Sequence, residues 1–489
     1  MREKGKSETY RLYISGEWID SVDGTFFDDC NPFNNEVVAS VANAGSEDAE
    51  RAIDAAAEAF SAWAAVPPSQ KRLYLLRAAD VMERRTRDFG LMLSKETGAA
   101  SAFAMFQAGL GPNYFREAAS QVHRVMGKTI PAELPGSFSM ILRQPVGVVA
   151  GISPWNGPLI LSLRAVCFPI AYGNTVVLKP SAESPITGGI FLAQIFEEAG
   201  FPKGVLNVIT NGPGRSSEVG ERFVTDRRVK RISFTGSTEV GRQLAEKAGR
   251  YLKRITLELG GNDPLIILED ADIDYAVEAA VFGRFLHQGQ VCMNAKRIIV
   301  EKAVAAKFIE KFVKKVSVLR VGDPMDPETI IGPLINDKQL ELIKGQVARA
   351  VAEGAKLLCG GRHEGRCYYP TVLGDVTEDM EIFQEETFGP VAPVIVVRDA
   401  QEALRVANNS QFGLSSAVIT ADAALGLEIA QKLEAGVTHI NDSPVKAEPH
   451  APVGGVKDSG WGRHGMEAVE EFTELHWVTI QRMGRKFPF

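Results

Sequence analysis

The sequence predicts an α/β protein with two units, each built around a mainly parallel sheet. From Val146 onward, short β-branched runs alternate with helical stretches, which is typical of βαβ units. The first series of expected strands covers 146–152, 175–178, 206–209, 231–234 and 254–257, and the second covers 264–268, 297–300, 391–397 and 416–419. The two series meet near Gly260, so we expect a ligand-binding cleft there.

Three helices and one isolated strand complete the expected elements. An alanine-rich amphipathic helix is expected over 47–63 with Ser46 as its N-cap, and others follow over 69–85 and 303–318. The tail 473–480 alternates apolar residues like a strand but has no local partner. It is therefore expected to complete a sheet elsewhere or in another subunit.

The composition argues against several classes of function. The 489 residues include 54 basic and 61 acidic ones, a net charge of −7, which gives no electrostatic case for nucleic acid or an anionic membrane surface. Five cysteines without a CxxC pair, and seven histidines without HExxH spacing, predict neither a disulfide framework nor a metal site. The charged N-terminus lacks the apolar core of a secretory signal, and no apolar stretch is long enough to span a membrane. We expect a cytoplasmic protein that binds small molecules.

One thiol and one carboxylate stand on opposite sides of the expected join. Cys292 ends the run Gly289-Gln290-Val291-Cys292, and Glu258 begins Glu258-Leu259-Gly260-Gly261. A lone cysteine is usually a buried apolar residue. Together with a carboxylate, however, a thiol that is partly ionised near neutral pH suits covalent catalysis on a carbonyl, with the carboxylate activating water.

Two motifs at the carboxyl ends of expected strands are candidates for phosphate or ribose binding. Phe234-Thr235-Gly236-Ser237-Thr238-Glu239-Val240-Gly241 joins a strand to a helix, where backbone amides favour an anion, although it is neither GxGxxG nor a P-loop. Lys179 follows a buried strand and can bond to ribose or phosphate; the alternative is a solvated loop lysine.

Two further motifs carry polar or aromatic groups suited to the same cleft. The amide of Asn156, in Ser153-Pro154-Trp155-Asn156, can donate to a developing oxyanion, or the residue merely forms a turn. Glu386 and Phe388 precede a Gly-Pro break. They can offer a carboxylate to a ribose and a ring to a planar cofactor, or they form a surface turn.

Six motifs in a fixed order resemble the aldehyde dehydrogenase superfamily from about Tyr13 to Gln481. They are Pro-Trp-Asn, Lys-Pro-Ser, Phe-Thr-Gly-Ser-Thr-x-x-Gly, Glu-Leu-Gly-Gly, Gly-Gln-x-Cys and Glu-Glu-x-Phe-Gly-Pro. The resemblance implies a Rossmann-type NAD(P)-binding domain over 1–125 and 146–260 and an α/β catalytic domain over 261–470. It also implies a small β oligomerisation arm over 126–145 and 471–489, in a homodimer or homotetramer.

The resemblance also implies a role for each matching residue. Cys292 would be the nucleophile, Glu258 the general base, and Asn156 with the Cys292 backbone amide the oxyanion hole. The implied contacts of NAD or NADP are Ile152, Ser153, Trp155, Lys179, Ser181, Ala182, Gly236, Ser237, Leu259, Glu386 and Phe388. The implied substrate contacts are Leu161, Arg164, Val291 and Met293, and no metal is implied.

Two positions depart from the family pattern. Many NAD-preferring members carry a glutamate where this chain has Ala182, with Glu183 next; its absence lowers the barrier to a 2′-phosphate and leaves NAD against NADP open. Some members carry a proton-relay glutamate where this chain has His464, so that role does not transfer.

The runs around the motifs are most similar to the branch that oxidises aromatic aldehydes such as benzaldehyde, salicylaldehyde and vanillin. In that branch Arg164 would face the substrate channel and meet a ring hydroxyl or a carboxylate; the alternative is a structural salt bridge.

Other functions remain alternatives. A CoA-acylating semialdehyde dehydrogenase is disfavoured because such enzymes commonly lack the base that Glu258 would supply. An aliphatic- or semialdehyde-specific dehydrogenase is a second alternative, and a catalytically silent structural homologue is a third.

Overall fold

The first large sheet carries the first series of expected strands. In the computed structural model, which describes residues 8–489, eight strands form this sheet. Their order is Gly460–Trp461, Arg254–Glu258, Val229–Thr235, Val148–Ile152, Thr175–Lys179, Leu206–Val208, Leu12–Ile14 and Glu17–Ile19. The strands from Arg254–Glu258 to Leu206–Val208 run parallel, with Ile152 opposite Lys179 and Thr235 opposite Glu258. Their carboxyl ends therefore form one edge, where ligands bind in such sheets.

The second large sheet carries the second series. Within the described residues, seven strands form it, in the order Lys356–Cys359, Thr371–Gly374, Val391–Val397, Ala295–Glu301, Asp263–Ile267, Ala417–Ile419 and His439–Ile440. All neighbours in it are parallel except the first pair. The predicted α/β class is thus confirmed.

Smaller sheets lie at the periphery. Glu8–Tyr10, Val37–Ala42 and Phe26–Cys30 form one, and two antiparallel pairs are His363–Glu364 with Cys367–Tyr368 and Phe412–Gly413 with Val456–Lys457. Gly460–Trp461 joins the first sheet although it falls within 261–470. The domain boundaries stay a prediction.

The tail strand completes a sheet elsewhere in its own chain, which is one of the two outcomes expected from the sequence. Thr473–Gln481 pairs antiparallel with Ser137–Pro145, from Thr473 opposite Pro145 to Gln481 opposite Ser137. Lys128–Ile130 pairs with the other side of Ser137–Pro145. The partners are more than 300 residues apart in the chain, so no local pattern could reveal the pairing.

The helices surround the two large sheets. In the amino-terminal half they are Ser46–Ala65, Pro68–Arg84, Thr86–Thr97, Ser101–Gln121, Pro158–Ala171, Phe191–Glu198, Ser216–Thr225 and Thr238–Arg250. In the carboxyl-terminal half they are Ile273–Phe285, Lys302–Val316, Asp337–Ala352, Glu381–Gln384, Ala400–Asn408, Ala423–Lys432 and Ala468–Glu471. No helix among residues 8–489 is long and apolar enough to cross a membrane.

The first helix begins at its expected cap residue. Ser46 is the first residue of Ser46–Ala65, and Gly45 takes the cap position because its N–H donates to the Asp48 carboxylate at 3.0 Å. A side-chain acceptor three residues into the helix thus replaces the serine cap that was expected.

Apolar cores cover both faces of each large sheet. Val149 belongs to the core on one face of the first sheet, and Val148 and Ala150 to the core on the other. Ile266 and Leu265 divide in the same way in the second sheet. Burial on both faces explains why these strands are continuous apolar runs, and it holds their polar carboxyl ends in fixed positions.

Candidate active site

Glu258 ends a central strand and is held by an arginine from a neighbouring helix. Its side chain is buried, and its Oε2 accepts a hydrogen bond from Nη1 of Arg164 at 2.8 Å. Arg164 lies on Pro158–Ala171 and also donates from Nε to the Tyr114 hydroxyl at 3.3 Å. Glu258 Oε1 has no hydrogen-bond partner among residues 8–489. One carboxylate oxygen is therefore anchored and the other is free to accept a proton.

His464 lies against that free oxygen without forming an ion pair. Its Nε2 is 3.8 Å from Glu258 Oε1, a distance that would suit an ion pair only if the imidazole were charged. Burial lowers the pKa of His464, so the ring is neutral at neutral pH. We therefore treat the contact as packing beside the carboxylate.

The loop before Cys292 has a strained backbone that side-chain hydrogen bonds hold in place. His287 and Gln288 adopt φ of 50° and 54°, a left-handed conformation that is strained for residues other than glycine. Gln288 Nε2 fixes the loop by donating to the carbonyls of Gly98 and Pro333, at 2.8 and 3.1 Å. A Cβ on Gly289 would lie 2.2 Å from the Gly389 carbonyl oxygen, so only glycine fits there.

Lys296 is a buried cation that ties this loop to Glu386. Its ammonium donates to the carbonyl oxygens of Cys292 at 2.5 Å and Val291 at 3.1 Å. The same nitrogen lies 3.0 Å from Glu386 Oε1 and 5.7 Å from the centre of the Phe388 ring. Its side chain is fully buried. One charge thus links the candidate nucleophile to two candidate cofactor contacts.

The surroundings of Cys292 disfavour the thiolate. The residue is partly exposed, because it faces cavities, but protein encloses its sulfur closely. Burial raises the pKa of the Cys292 thiol to about 11; Lys296 and Arg164 oppose the rise, whereas Glu258 and Asp263 add to it. The expectation of a thiol partly ionised near neutral pH was therefore wrong. In this state the sulfur must lose its proton to a neighbour as it reacts.

Two cavities meet at Cys292. One, of about 270 Å³, is lined by Trp155, Gly236, Ser237, Leu259, Glu386 and Phe388. The other, of about 90 Å³, is mostly apolar and includes Phe103, Phe106, Phe282, Arg164, Val291 and Met293. Asn156, Leu161 and Cys292 line both. A group in either cavity can reach the same sulfur.

A third, larger cleft continues from the first cavity along the sheet edge. It measures about 630 Å³, and Ile152, Ser153, Lys179, Ser181, Ala182 and Ser237 line it. Lys179 is buried, its pKa is lowered to about 8 by burial, and its ammonium has one long hydrogen bond, to the Pro180 carbonyl at 3.4 Å. Ser237 caps the helix Thr238–Arg250, whose amino end favours an anion.

These features fit a dinucleotide. At one side, the two connected clefts offer the ammonium of Lys179 and the amino end of the helix that Ser237 caps. At the other side they offer the carboxylate of Glu386 and two aromatic rings. Trp155 and Phe388 meet edge to face with ring centroids 5.6 Å apart. Beside Ala182, Glu183 is held by Asn336, whose Nδ2 donates to the Glu183 carboxylate at 2.8 Å.

The structure brings every residue singled out in the sequence into one region. Glu258 alone is not among the residues that line the three cavities; it lies behind them with Arg164. For Arg164, the structural salt bridge is present, and the residue also lines the apolar cavity.

Residues that sequence reasoning missed are Phe103, Phe106, Gln107, Phe282, Lys296 and Lys446. Only Lys296, four residues after Cys292, was near a motif.

We predict that Lys296→Met lowers the thiolate fraction of Cys292. The ammonium favours the thiolate, so alkylation by iodoacetamide should slow by roughly fivefold at pH 8. In the wild type, the alkylation rate should rise with pH toward about 11, because the pKa of the thiol is raised.

Lys296→Arg is the matched control, because it keeps a positive charge at the same position. It should restore most of the rate. Equal alkylation rates in wild type and a folded Lys296→Met variant would show that this ammonium does not act on the sulfur.

Comparisons with known proteins agree with this site. Residues 18–478 match the aldehyde dehydrogenase family. The chain is 45% identical over 481 residues to a salicylaldehyde dehydrogenase of Pseudomonas putida, covering 98% of this chain and 99% of the relative. It is 40% identical over 492 residues to a Pseudomonas putida benzaldehyde dehydrogenase whose name specifies NAD(+), with both chains fully covered. The crystal structure of a salicylaldehyde dehydrogenase from Pseudomonas putida G7 complexed with salicylaldehyde superposes with a TM-score of 0.96 at 44% identity, covering 99% of this chain and 100% of that one. The chain belongs to the aldehyde dehydrogenase family.

Proposed function

We propose that this protein oxidises an aromatic aldehyde to its carboxylic acid with NAD+ or NADP+, through a thiohemiacetal and a thioester on Cys292. The observation that carries the proposal is the position of Cys292, where an apolar cavity meets a dinucleotide-sized cleft. Initial rates with benzaldehydes and short aliphatic aldehydes, each with both cofactors, test it. Absence of oxidation of every aldehyde would reject it.

The first step forms a bond between sulfur and carbon. Cys292 attacks the aldehyde carbon as its proton leaves, and the carbonyl oxygen becomes the oxyanion of a thiohemiacetal. The Asn156 amide and the Cys292 backbone N–H would donate to that oxygen. Because the pKa of the thiol is high, its proton passes to a neighbouring water molecule as the bond forms, so Glu258 stays unprotonated for the third step.

The second step needs a hydride acceptor beside the thiohemiacetal carbon. The residues present would hold the cofactor as follows: Lys179, Ser181 and Ser237 at the adenosine and pyrophosphate end, and Glu386, Phe388 and Trp155 at the nicotinamide end. A bound nicotinamide supplies the two-electron acceptor. The oxyanion becomes the carbonyl of a thioester as the carbon loses its hydride. Lys296 contacts both Glu386 and the Cys292 carbonyl, so it holds these two groups at a fixed distance from each other during the step.

The third step hydrolyses the thioester. Glu258 Oε1 accepts a proton from water, the oxygen of that water adds to the acyl carbon, and the sulfur of Cys292 leaves with the bonding electrons. Arg164 holds Oε2 at 2.8 Å and so aims the free oxygen. Hydrolysis of this kind favours a carboxylate product over transfer to CoA, because the base for water is in place.

Aromatic substrates suit the apolar cavity. Phe103, Phe106 and Phe282 supply three rings, and Ile160 and Leu286 supply aliphatic walls. Flat rings pack well among such side chains. The relatives named for salicylaldehyde and benzaldehyde support the same substrate class for this chain. A silent homologue is disfavoured because Cys292, Glu258 and Asn156 are all present in the sequence.

We predict that Glu258→Gln uncouples the two halves of the reaction. Glutamine cannot accept the proton of water, so steady-state turnover should fall by about 10²- to 10⁴-fold. A burst of reduced cofactor, up to one per Cys292, should precede it in rapid-mixing absorbance at 340 nm, because the first two steps do not need Glu258.

Cys292→Ser is the matched control and should show neither burst nor turnover, with unchanged circular dichroism. Full turnover by Glu258→Gln would contradict its role. A missing burst would contradict the uncoupling and would assign the thiol proton to Glu258 as well.

We predict that Ala182→Glu shifts cofactor preference toward NAD+. A carboxylate in this cleft would repel a 2′-phosphate, so the ratio of kcat/KM for the two cofactors should change by about five- to 150-fold, which corresponds to roughly 1–3 kcal/mol. Ala182→Gln separates charge from size. An unchanged ratio would mean that another residue, such as Glu183, reads the 2′ position.

The β arm supports a homodimer or homotetramer. Among residues 8–489, none of its strand residues belongs to an apolar core, and Leu475, Trp477 and Ile480 are exposed. A three-stranded sheet with bare apolar side chains is typically covered by another chain. The five unpaired cysteines support a reducing compartment such as the cytoplasm.

We predict that Leu475→Glu lowers the oligomeric state of the protein. The charge would lie on an exposed surface of the arm, so the chain should fold while its interface weakens. Size-exclusion chromatography with light scattering measures the effect, and Leu427→Glu, at an exposed leucine on Ala423–Lys432, is the control. A wild-type monomer at micromolar concentration would contradict the arm's role.

A further inference from the structure

A buried amide in the apolar cavity has no hydrogen-bond partner within the part of the chain that the structure describes. Gln107 lies on Ser101–Gln121, is fully buried and lines the cavity that contains Cys292. Neither its Nε2 nor its Oε1 makes a hydrogen bond with any residue in the described range 8–489. An unsatisfied buried amide costs stability, so its presence here points to a polar group on whatever fills the cavity.

The other polar side chains of this cavity already have roles. Arg164 donates to Glu258 and to Tyr114. Lys446 lies 3.5 Å from both Asp442 and Glu448. Asn156 also lines the cofactor-side cavity and is assigned to the oxyanion. Gln107 is therefore the polar side chain in this cavity that is left to recognise a substituent of the substrate.

Space for such a substituent exists next to the amide. Gly157 has no side chain, and a Cβ there would lie 3.9 Å from Gln107 Oε1 and 3.2 Å from Leu161 Cδ1. The volume that a side chain at position 157 would fill thus borders the free amide. An oxygen atom on an aromatic ring that lies about 1 Å closer to the amide than this Cβ would be within hydrogen-bonding range.

We propose that Gln107 is a specificity residue that binds a hydroxyl group on the ring of the substrate. A phenolic hydroxyl both donates and accepts, which matches an amide that offers Oε1 and Nε2. The substrate class is then a hydroxylated aromatic aldehyde. The proposal rests on the proposed aldehyde oxidation and adds the part of the substrate that is read.

The test compares aldehydes that differ only in hydrogen bonding. Each of 2-, 3- and 4-hydroxybenzaldehyde is paired with the methylbenzaldehyde of the same substitution, at a pH where the phenol is neutral. The kcat/KM ratio of each pair is measured for wild type and for Gln107→Met. Dividing the two ratios cancels the intrinsic reactivity of the aldehydes.

At one ring position, we expect Gln107→Met to lower the hydroxy-to-methyl ratio by about tenfold or more. Gln121→Met is the matched control, because Gln121 is a buried amide on the same helix that is already satisfied by Tyr172 and Glu117. It should leave every ratio unchanged. A folded Gln107→Met variant with unchanged ratios at all three positions would overturn the proposal.

A binding measurement covers the case in which Gln107→Met does not fold. Cys292→Ala keeps Gln107 and cannot form the thiohemiacetal, so dissociation constants for the paired aldehydes report recognition alone. We expect tighter binding of one hydroxybenzaldehyde by about tenfold, and equal binding in all three pairs would overturn the proposal. If the wild type oxidised no aldehyde at all, the proposed function would fail instead.

Discussion

The ion pair between Arg164 and Glu258 is the interaction on which the site depends. Both side chains are buried and only 2.8 Å apart, so each offsets the cost of desolvating the other. The pair joins the end of Arg254–Glu258 to the helix that follows Val148–Ile152, two strands away in the sheet. It leaves one carboxylate oxygen free beside the neutral His464. Removing the arginine would leave a buried carboxylate without its partner and without a fixed direction. The same ion pair thus positions the proposed catalytic base and packs the strand against the helix.

Burial of Cys292 disfavours its thiolate, and two neighbouring cations partly offset that effect. Burial raises the pKa of the thiol to about 11, so the resting sulfur is mostly protonated at neutral pH. Lys296 and Arg164 act against this rise from two directions, and both are fixed by other contacts. Because Lys296 also holds Glu386, a change at the nicotinamide end of the cleft can reach the nucleophile through one side chain.

Local patterns predicted the sheets and the motifs better than the pairings between them. Strands such as Val391–Val397 were predicted from their sequence alone, because burial on both faces produces continuous apolar runs. The motif residues, including Lys179 and Ser237, fell at strand ends for the same reason. By contrast, the pairing of Thr473–Gln481 with Ser137–Pro145 and the role of Arg164 depend on contacts between distant segments. The protonated state of Cys292 could not be predicted either, since it depends on burial.

The reacting groups and the walls of the substrate cavity lie on different kinds of structural element. The chemical groups lie on a strand end and a strained loop, whose positions the sheets and backbone contacts fix. The walls of the apolar cavity come largely from helices, including Ser101–Gln121 and Pro158–Ala171. A helix side chain such as Gln107 can therefore change without moving the sulfur or the carboxylate. The helix residues that would select the substrate lie outside the six motifs. The motifs therefore indicate aldehyde chemistry but not which ring substituent the cavity would bind.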